Sequence, residues 1–221
     1  MTGSIASAHA DHAVLPDAEA TMAFVLRLRA RGIADVAVLR ALETVPRRLF
    51  VPHLYADLAW RDVALPIACG QTMPEPLQVA RMMEALRLAP THRVLEVGAG
   101  SGYATAILSR LAREVVSIER FDTLATEAQA RLRQLGVDNV RIVCGDARNL
   151  PDDIALFDRA LIDSASLHPP AAIMARMAED GVVVFARATA GGKAVLVRLA
   201  HENSGQWRET ELGPCRASAL I

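Results

Sequence analysis

Between Arg93 and Leu111 a short β-prone run, Arg93–Val97, gives way to a glycine-rich turn, Gly98-Ala99-Gly100-Ser101-Gly102, which leads into a helical stretch over Tyr103–Leu111. A strand that passes through glycines into a helix is the opening unit of an open parallel sheet. In such sheets ligands sit beyond the carboxyl ends of the strands and meet backbone N–H groups at the first helix N-terminus. Glycine suits positions 98, 100 and 102 because it permits positive φ and lets a ligand approach the backbone without meeting a Cβ. Taken alone, the turn is also compatible with a tight strand-to-helix connection that binds nothing.

The rest of the chain repeats the same alternation. Glu114–Ile118, Val140–Val143, Asp158–Ile162 and Gly181–Phe185 read as short apolar strands. Helical faces fall between them, one through Leu124, Ala128, Leu132 and Leu135 that stops at Gly136, and a last one starting near Pro170. This alternation predicts a doubly wound α/β fold with a parallel sheet covered on both faces. Lys193–Ala200 and Gln206–Leu212 have no helix between them and read as a C-terminal β-hairpin turning at Glu202-Asn203-Ser204-Gly205.

Ahead of the glycine turn the chain is expected to be a helical extension. Asp17 caps a helix with Met22, Val25 and Leu26 on one face, and a second helix spans Asp35–Thr44 and ends before Pro46. Prolines at 46, 52, 66 and 76 and Gly70 then break any clean period. The segment reads as an ordered loop, since Leu49, Phe50, Leu54, Tyr55, Leu58 and Trp60 need a core to cover them. Val79, Met82, Met83 and Leu86 form one buried helical face. The division expected is a helical N-terminal extension with a substrate-side loop over 1–75 and a ligand-binding domain over 76–221, packed as one compact unit.

Two acidic residues beyond the turn narrow the ligand. Glu119 ends the next strand 21 positions after Gly98, where a carboxylate can accept both hydroxyls of an adenosine ribose. A dinucleotide-binding turn meets the same description. Such turns usually read G-x-G-x-x-G, however, whereas this one reads G-x-G-x-G and has Glu96 two residues before its first glycine. A carboxylate there repels pyrophosphate and suits a cofactor carrying an ammonium and a sulfonium group, S-adenosylmethionine. Gly145-Asp146-Ala147 follows the third strand, where Asp146 can bond an adenine amino group or serve as a turn residue.

Composition limits the alternatives. With 221 residues, 52% of them hydrophobic, the chain can bury one substantial core, and 24 basic against 25 acidic residues give no global field to recruit nucleic acid or an anionic membrane. No run of about 18 apolar residues suggests a membrane span, so a cytoplasmic protein is expected. Cys69, Cys144 and Cys215 lack paired spacing, and the scattered histidines, with only His9 and His12 close together, suggest no metal site. Oligomeric state is not encoded in any pattern of this kind.

From Val45 to the C-terminus the chain resembles the protein-L-isoaspartate O-methyltransferases. The resemblance is carried by Val45-Pro46-Arg47-Arg48-Leu49-Phe50-Val51-Pro52, by Leu65-Pro66-Ile67 with Gly70-Gln71-Thr72, by Arg93–Tyr103 around the glycine turn, by Val116-Ser117-Ile118-Glu119-Arg120, by Gly145-Asp146, and by Leu212-Gly213-Pro214. It implies methyl transfer from S-adenosylmethionine to the free α-carboxylate of an L-isoaspartyl residue in damaged proteins or peptides. Glu96, Gly98, Gly100, Ser101, Gly102, Glu119, Arg120, Gly145, Asp146 and Ala147 would then bind the cofactor. Gln71 and Thr72 would border both the methyl group and the substrate, with Pro66 and Ile67 on the substrate side.

The departures from that pattern cluster at the substrate end. Where the family's loop reads Q-T-I-S-x-P, this chain has Gln71-Thr72-Met73-Pro74-Glu75-Pro76, so Pro74 removes a hydroxyl and a backbone N–H together. Glu75 adds a negative charge, for which capping the following helix is the expected role. Asp163-Ser164-Ala165-Ser166 stands where the family has a threonine-alanine-alanine-like segment. Asp163 and Ser164 are therefore assigned to the substrate side, with a cationic substrate group, a metal or a simple helix cap all open for Asp163. Arg187 is open between an anionic substrate and a solvated strand end. Two alternatives to isoaspartyl repair follow: the same cofactor with another acceptor, or a non-catalytic protein that binds S-adenosylmethionine or a related adenosine ligand.

Overall fold

The computed structural model describes residues 18–150, 155–190, 193–202 and 205–220. Asp17, His9, His12 and the hairpin residues Asn203 and Ser204 lie outside them. Helices α1 (Ala18–Ala30) and α2 (Val36–Thr44) come first, and α2 is capped by Asp35, whose side chain accepts from the N–H groups of Ala37 and Val38. After β1 (Leu65–Pro66) and β2 (Thr72–Met73), a small antiparallel pair, α3 (Pro76–Leu86) leads into the main sheet. That sheet is built from β3 (Arg93–Val97), β4 (Glu114–Glu119), β5 (Val140–Cys144), β6 (Phe157–Ser166), β7 (Met177–Ala188), β8 (Ala194–His201) and β9 (Trp207–Cys215). Helices α4 (Tyr103–Leu111), α5 (Asp122–Gln134) and the short α6 (Ala171–Met174) complete the fold.

The strand order is β5-β4-β3-β6-β7-β8-β9, parallel from β5 through β7 and antiparallel for β8 and β9. Alternation along each strand divides the core. Val94, Val115, Leu161 and Val184 join the cluster built with α1 to α4 and Leu132 of α5, while Leu95, Val116, Ile162 and Phe185 join the opposite cluster. This is a Rossmann-like α/β sheet with a helical N-terminal extension and a C-terminal hairpin. Helical cover is uneven, since among the described residues the second cluster is covered by Ile173 and Met174 of four-residue α6, by Ala147 and Leu150, and by Leu220.

Several sequence expectations need correction. Met22 and Leu26 are exposed at 64% and 58%, and α1 instead buries Thr21, Phe24 and Leu28. Both stripes have helical spacing, and the ring of Phe24, 5.5 Å from that of Trp60, decides which one faces inward. Leu54 and Leu58 remain exposed in the Pro46–Pro76 segment, whereas Phe50 is fully buried. Strand β6 runs four residues past Ile162: after a register shift Ala165 and Ser166 pair again with Ala186 and Arg187 of β7, and on its other side Ala165 donates its N–H to Ser218 O at 2.6 Å and accepts from Leu220 N at 2.9 Å. Arg187 does not line the cavity; it lies partly exposed at the strand end, where it forms surface ion pairs with Glu209 and Glu211 that tie β7 to β9.

The Pro46–Pro76 segment holds its shape through a buried arginine. Arg47 is 0% exposed and donates to Ala59 O at 2.8 Å, Val63 O at 3.3 Å and Pro74 O at 3.2 Å, with its guanidinium 5.6 Å from the Tyr103 ring centroid. Burial lowers its pKa, opposed by Tyr103 and by the charges of Asp62 and Glu75. Helix α3 is anchored at both ends: Leu77 N donates to Asp62 Oδ1 at 3.0 Å, and Arg159 and Arg198 donate to Leu86 O and Ala85 O. Among the described residues no helix is long and apolar enough to cross a membrane.

Replacing Arg47 leaves its three carbonyl partners short of a donor in a protein interior. Arg47→Met is expected to lower unfolding free energy by about 2–4 kcal/mol. Urea denaturation followed by circular dichroism measures it, and an unchanged midpoint would show that the clamp is dispensable.

Candidate active site

The carboxyl ends of β5, β4, β3 and β6 stand side by side, and a cavity of about 390 Å³ opens over them. Gly98, Gly100 and Ser101 line it from the β3 end, Glu119 and Arg120 from β4, Gly145, Asp146 and Ala147 from β5, and Asp163 and Ser164 from β6. The loop before α3 contributes Ile67, Gln71, Thr72 and Pro74, and residues Arg216 to Leu220 close the opposite side. Pro66, Glu96 and Gly102 do not line it. Pro66 is exposed in the β1–β2 pair, and the other two lie behind the wall.

The glycine turn is held open by Glu119. Its Oε2 accepts from Gly100 N at 2.9 Å and its Oε1 from Phe121 N at 2.9 Å, so the carboxylate fixes the turn while still lining the cavity. Gly100 has φ of 54°, and a Cβ there would come within 3.4 Å of Ile67 Cδ1, closing the gap between the turn and the loop before α3. Gly102 has a different role. It begins α4 at φ 87°, and a Cβ would lie 3.0 Å from that of Ala128, so this glycine serves helix packing.

Glu96 is fully buried under the turn. Its Oε2 accepts from Thr105 Oγ1 at 2.6 Å and Ser117 Oγ at 2.5 Å, and its Oε1 has no partner. Burial pushes its carboxyl up to about 7; the two hydroxyl bonds oppose this, and the charges of Asp163 and Glu119 add to it. Asp146 is the contrary case. Arg148 grips it through Nε and Nη2, and that hydrogen bonding holds its carboxyl down at about 2.

At the other end of the cavity, Asp163 lines the wall, and burial pushes its carboxyl up to about 7, with the charge of Glu75 adding to the shift. Glu75 stands at the start of α3 but makes no side-chain capping bond, contrary to expectation, because Asp62 takes that place. Its side chain lines the cavity instead, with Oε2 buried and unpartnered. Ser164, 8% exposed, also keeps an unpartnered Oγ on the wall. Among the described residues no group of three or more His, Cys, Asp or Glu is placed to hold a metal ion.

The 216–220 segment was not legible as part of the site. It is docked by Gln78, whose Nε2 donates to Arg216 O at 2.6 Å and whose Oε1 accepts from Arg216 N at 2.9 Å, and by the bonds to Ala165. No motif or period marks it, so no sequence signal places it.

A family model described as protein-L-isoaspartate(D-aspartate) O-methyltransferase matches residues 19–217. The chain belongs to that family. Protein-L-isoaspartate O-methyltransferase 2 of Rhodopseudomonas palustris (strain HaA2) is 48% identical over 188 residues, covering 85% of this chain and 87% of the relative. A protein-L-isoaspartate O-methyltransferase of Xanthobacter autotrophicus is 48% identical over 200 residues, covering 90% and 91%. In fold, the chain is similar to a Plasmodium falciparum structure described as a member of this family in complex with S-adenosyl-L-homocysteine. The TM-score is 0.79 at 20% identity, covering 90% of this chain and 97% of that one.

The residues over the family's sheet ends fit S-adenosylmethionine. A glycine turn leaves room at the backbone, the Glu119 carboxylate stands at the β4 end, and Asp163 and Glu75 place two acidic groups at the far end, as suits a cofactor carrying positive charge.

Glu96 gives the stability a pH signature. Its folded carboxyl holds a proton through the window between the ordinary carboxylate value and about 7, where the unfolded chain releases it, so stability falls as pH rises across that window. Glu96→Gln keeps an acceptor for Thr105 and Ser117 and removes the titration. The variant is expected to gain about 2–3 kcal/mol relative to the parent between pH 5 and pH 8. Urea denaturation at both values tests this, and parallel pH profiles would sink it.

Proposed function

We propose that this chain methylates the free α-carboxylate of L-isoaspartyl residues in damaged proteins, using S-adenosylmethionine. The observation that carries the reading is the meeting, in one cavity, of the glycine turn with Gln71, Thr72 and Pro74 of the substrate loop. When bound, the cofactor supplies a methyl group on a positively charged sulfur and is left as a neutral thioether. The acceptor, with a pKa near 4, is already ionised at neutral pH, so the chain needs no general base.

Alignment and exclusion of water are what the residues contribute. The ends of β3, β4 and β5 hold the nucleoside part, and Gln71 and Thr72 border the region where carboxylate and methyl group meet. Ile67, Met73 and Val79 give that wall an apolar lining, which strengthens the attraction between the ionic partners. Pro74 brings neither hydroxyl nor N–H to the cavity, and its carbonyl is engaged by Arg47. We infer a cytoplasmic setting, supported by three free cysteines, two of them exposed.

Incubation with methyl-labelled cofactor and an isoaspartyl peptide beside its aspartyl twin tests the reading. Label is expected in the isoaspartyl peptide alone, and cofactor binding without transfer to either peptide would refute it. Pro74→Ser returns a hydroxyl and an N–H to the loop and is expected to raise kcat/KM for the isoaspartyl peptide by up to about tenfold. An unchanged value would show that the loop hydroxyl has no role here.

A further inference from the structure

Asp163, Ser164 and Glu75 have chemistry that the transfer described above does not use. Asp163 and Ser164 follow one another at the end of β6, Glu75 faces the same cavity from the start of α3, and two of the three keep a buried oxygen with no partner. A carboxylate acceptor gains nothing from this corner. Two acidic groups would repel it, and each loses hydration on enclosure.

Strand order indicates what the corner accepts. Asp146 and Ala147 lie at the end of β5, Glu119 at β4, the glycine turn at β3 and Asp163 at β6, and these strands are neighbours in that sequence. A cofactor laid with adenine at β5 and ribose at β4 has its amino-acid end at β3 and β6. Gly98 adjoins this end, since a Cβ there would come within 3.6 Å of Asp163 O and 4.0 Å of Asp163 Cβ. We propose that Asp163, with the Ser164 hydroxyl beside it and Glu75 opposite, receives the α-ammonium group of the cofactor. The proposal rests on the S-adenosylmethionine reading of the cavity, and it moves Asp163 and Ser164 from the substrate side to the cofactor side.

A proton is exchanged in the process. The charged groups facing Asp163 are Glu75 from α3 and Glu96 from β3; Cys215 of β9 lies within reach of both Asp163 and Glu75, and Arg216 stands exposed at the rim. With its carboxyl at about 7, Asp163 is partly protonated in the free protein at neutral pH. The arriving ammonium keeps its own protons and favours the carboxylate, so the Asp163 proton leaves to solvent. Affinity for the cofactor and for S-adenosylhomocysteine therefore rises as pH increases toward and through 7.

Isothermal titration with S-adenosylhomocysteine and with 5′-methylthioadenosine, which has the nucleoside and thioether but no amino-acid end, separates the possibilities. Asp163→Asn is expected to weaken S-adenosylhomocysteine about 10- to 100-fold and to leave 5′-methylthioadenosine unchanged, which also reports a folded site. Glu75→Gln is expected to act in the same direction and more weakly. For the parent protein near pH 7, repeating the titration in buffers of different ionisation enthalpy should show proton release with S-adenosylhomocysteine and none with 5′-methylthioadenosine. Unchanged affinity for both ligands with lost peptide methylation would return Asp163 to the substrate and overturn the proposal, as would equal weakening of both ligands. If the parent protein binds neither ligand, the cofactor reading itself falls.

Discussion

A guanidinium buried among backbone carbonyls organises the segment from Pro46 to Pro76. Arg47 reaches Ala59, Val63 and Pro74 from one short helical turn and spreads over Tyr103, the first residue of the helix that follows the glycine turn. A charge removed from water has to be solvated by something, and three carbonyls with an aromatic face supply that here. The segment from Pro46 to Pro76 has little regular structure and would otherwise have few reasons to adopt one path. Fixed by Arg47, it presents Gln71, Thr72 and Glu75 to the same space as the strand ends.

The other constraint is the accumulation of negative charge along those ends. Glu119, Glu96, Asp163 and Glu75 lie at or behind the cavity wall, and each is handled differently. Glu119 spends its oxygens on the N–H groups of Gly100 and Phe121, and Glu96 takes two hydroxyls and is pushed toward its protonated form. Asp163 has no comparable compensation, and Glu75 has the charge of Arg47 within reach but keeps one oxygen without a partner. A row of this kind is costly in an empty site and favourable around a ligand that carries positive charge, which agrees with a methyl donor whose sulfur and amino group are both cationic.

The family's chemistry accommodates an altered loop because it asks little of side-chain acid or base groups. An acceptor ionised at neutral pH has only to be aligned and kept dry. Pro74 fits such a loop, since its carbonyl takes part in the Arg47 clamp.

The sequence by itself determined the parts that local backbone chemistry encodes. Glycines at 98, 100 and 102, which the structure places at positive φ, a carboxylate at the end of the following strand, and the alternation of apolar periods were enough to specify a Rossmann-like sheet and an adenosine-type ligand, and the longer motifs around them carried the resemblance to the family. Tertiary structure decided which of two equally spaced stripes of α1 is buried, that Glu75 turns into the cavity because Asp62 caps α3, and that Arg187 pairs with Glu209 and Glu211. It also decided that residues Arg216 to Leu220 wall the site, through bonds such as Gln78 to Arg216 that join positions 138 apart in the chain. Such contacts leave no periodic trace, because each depends on where distant segments meet once the sheet has formed.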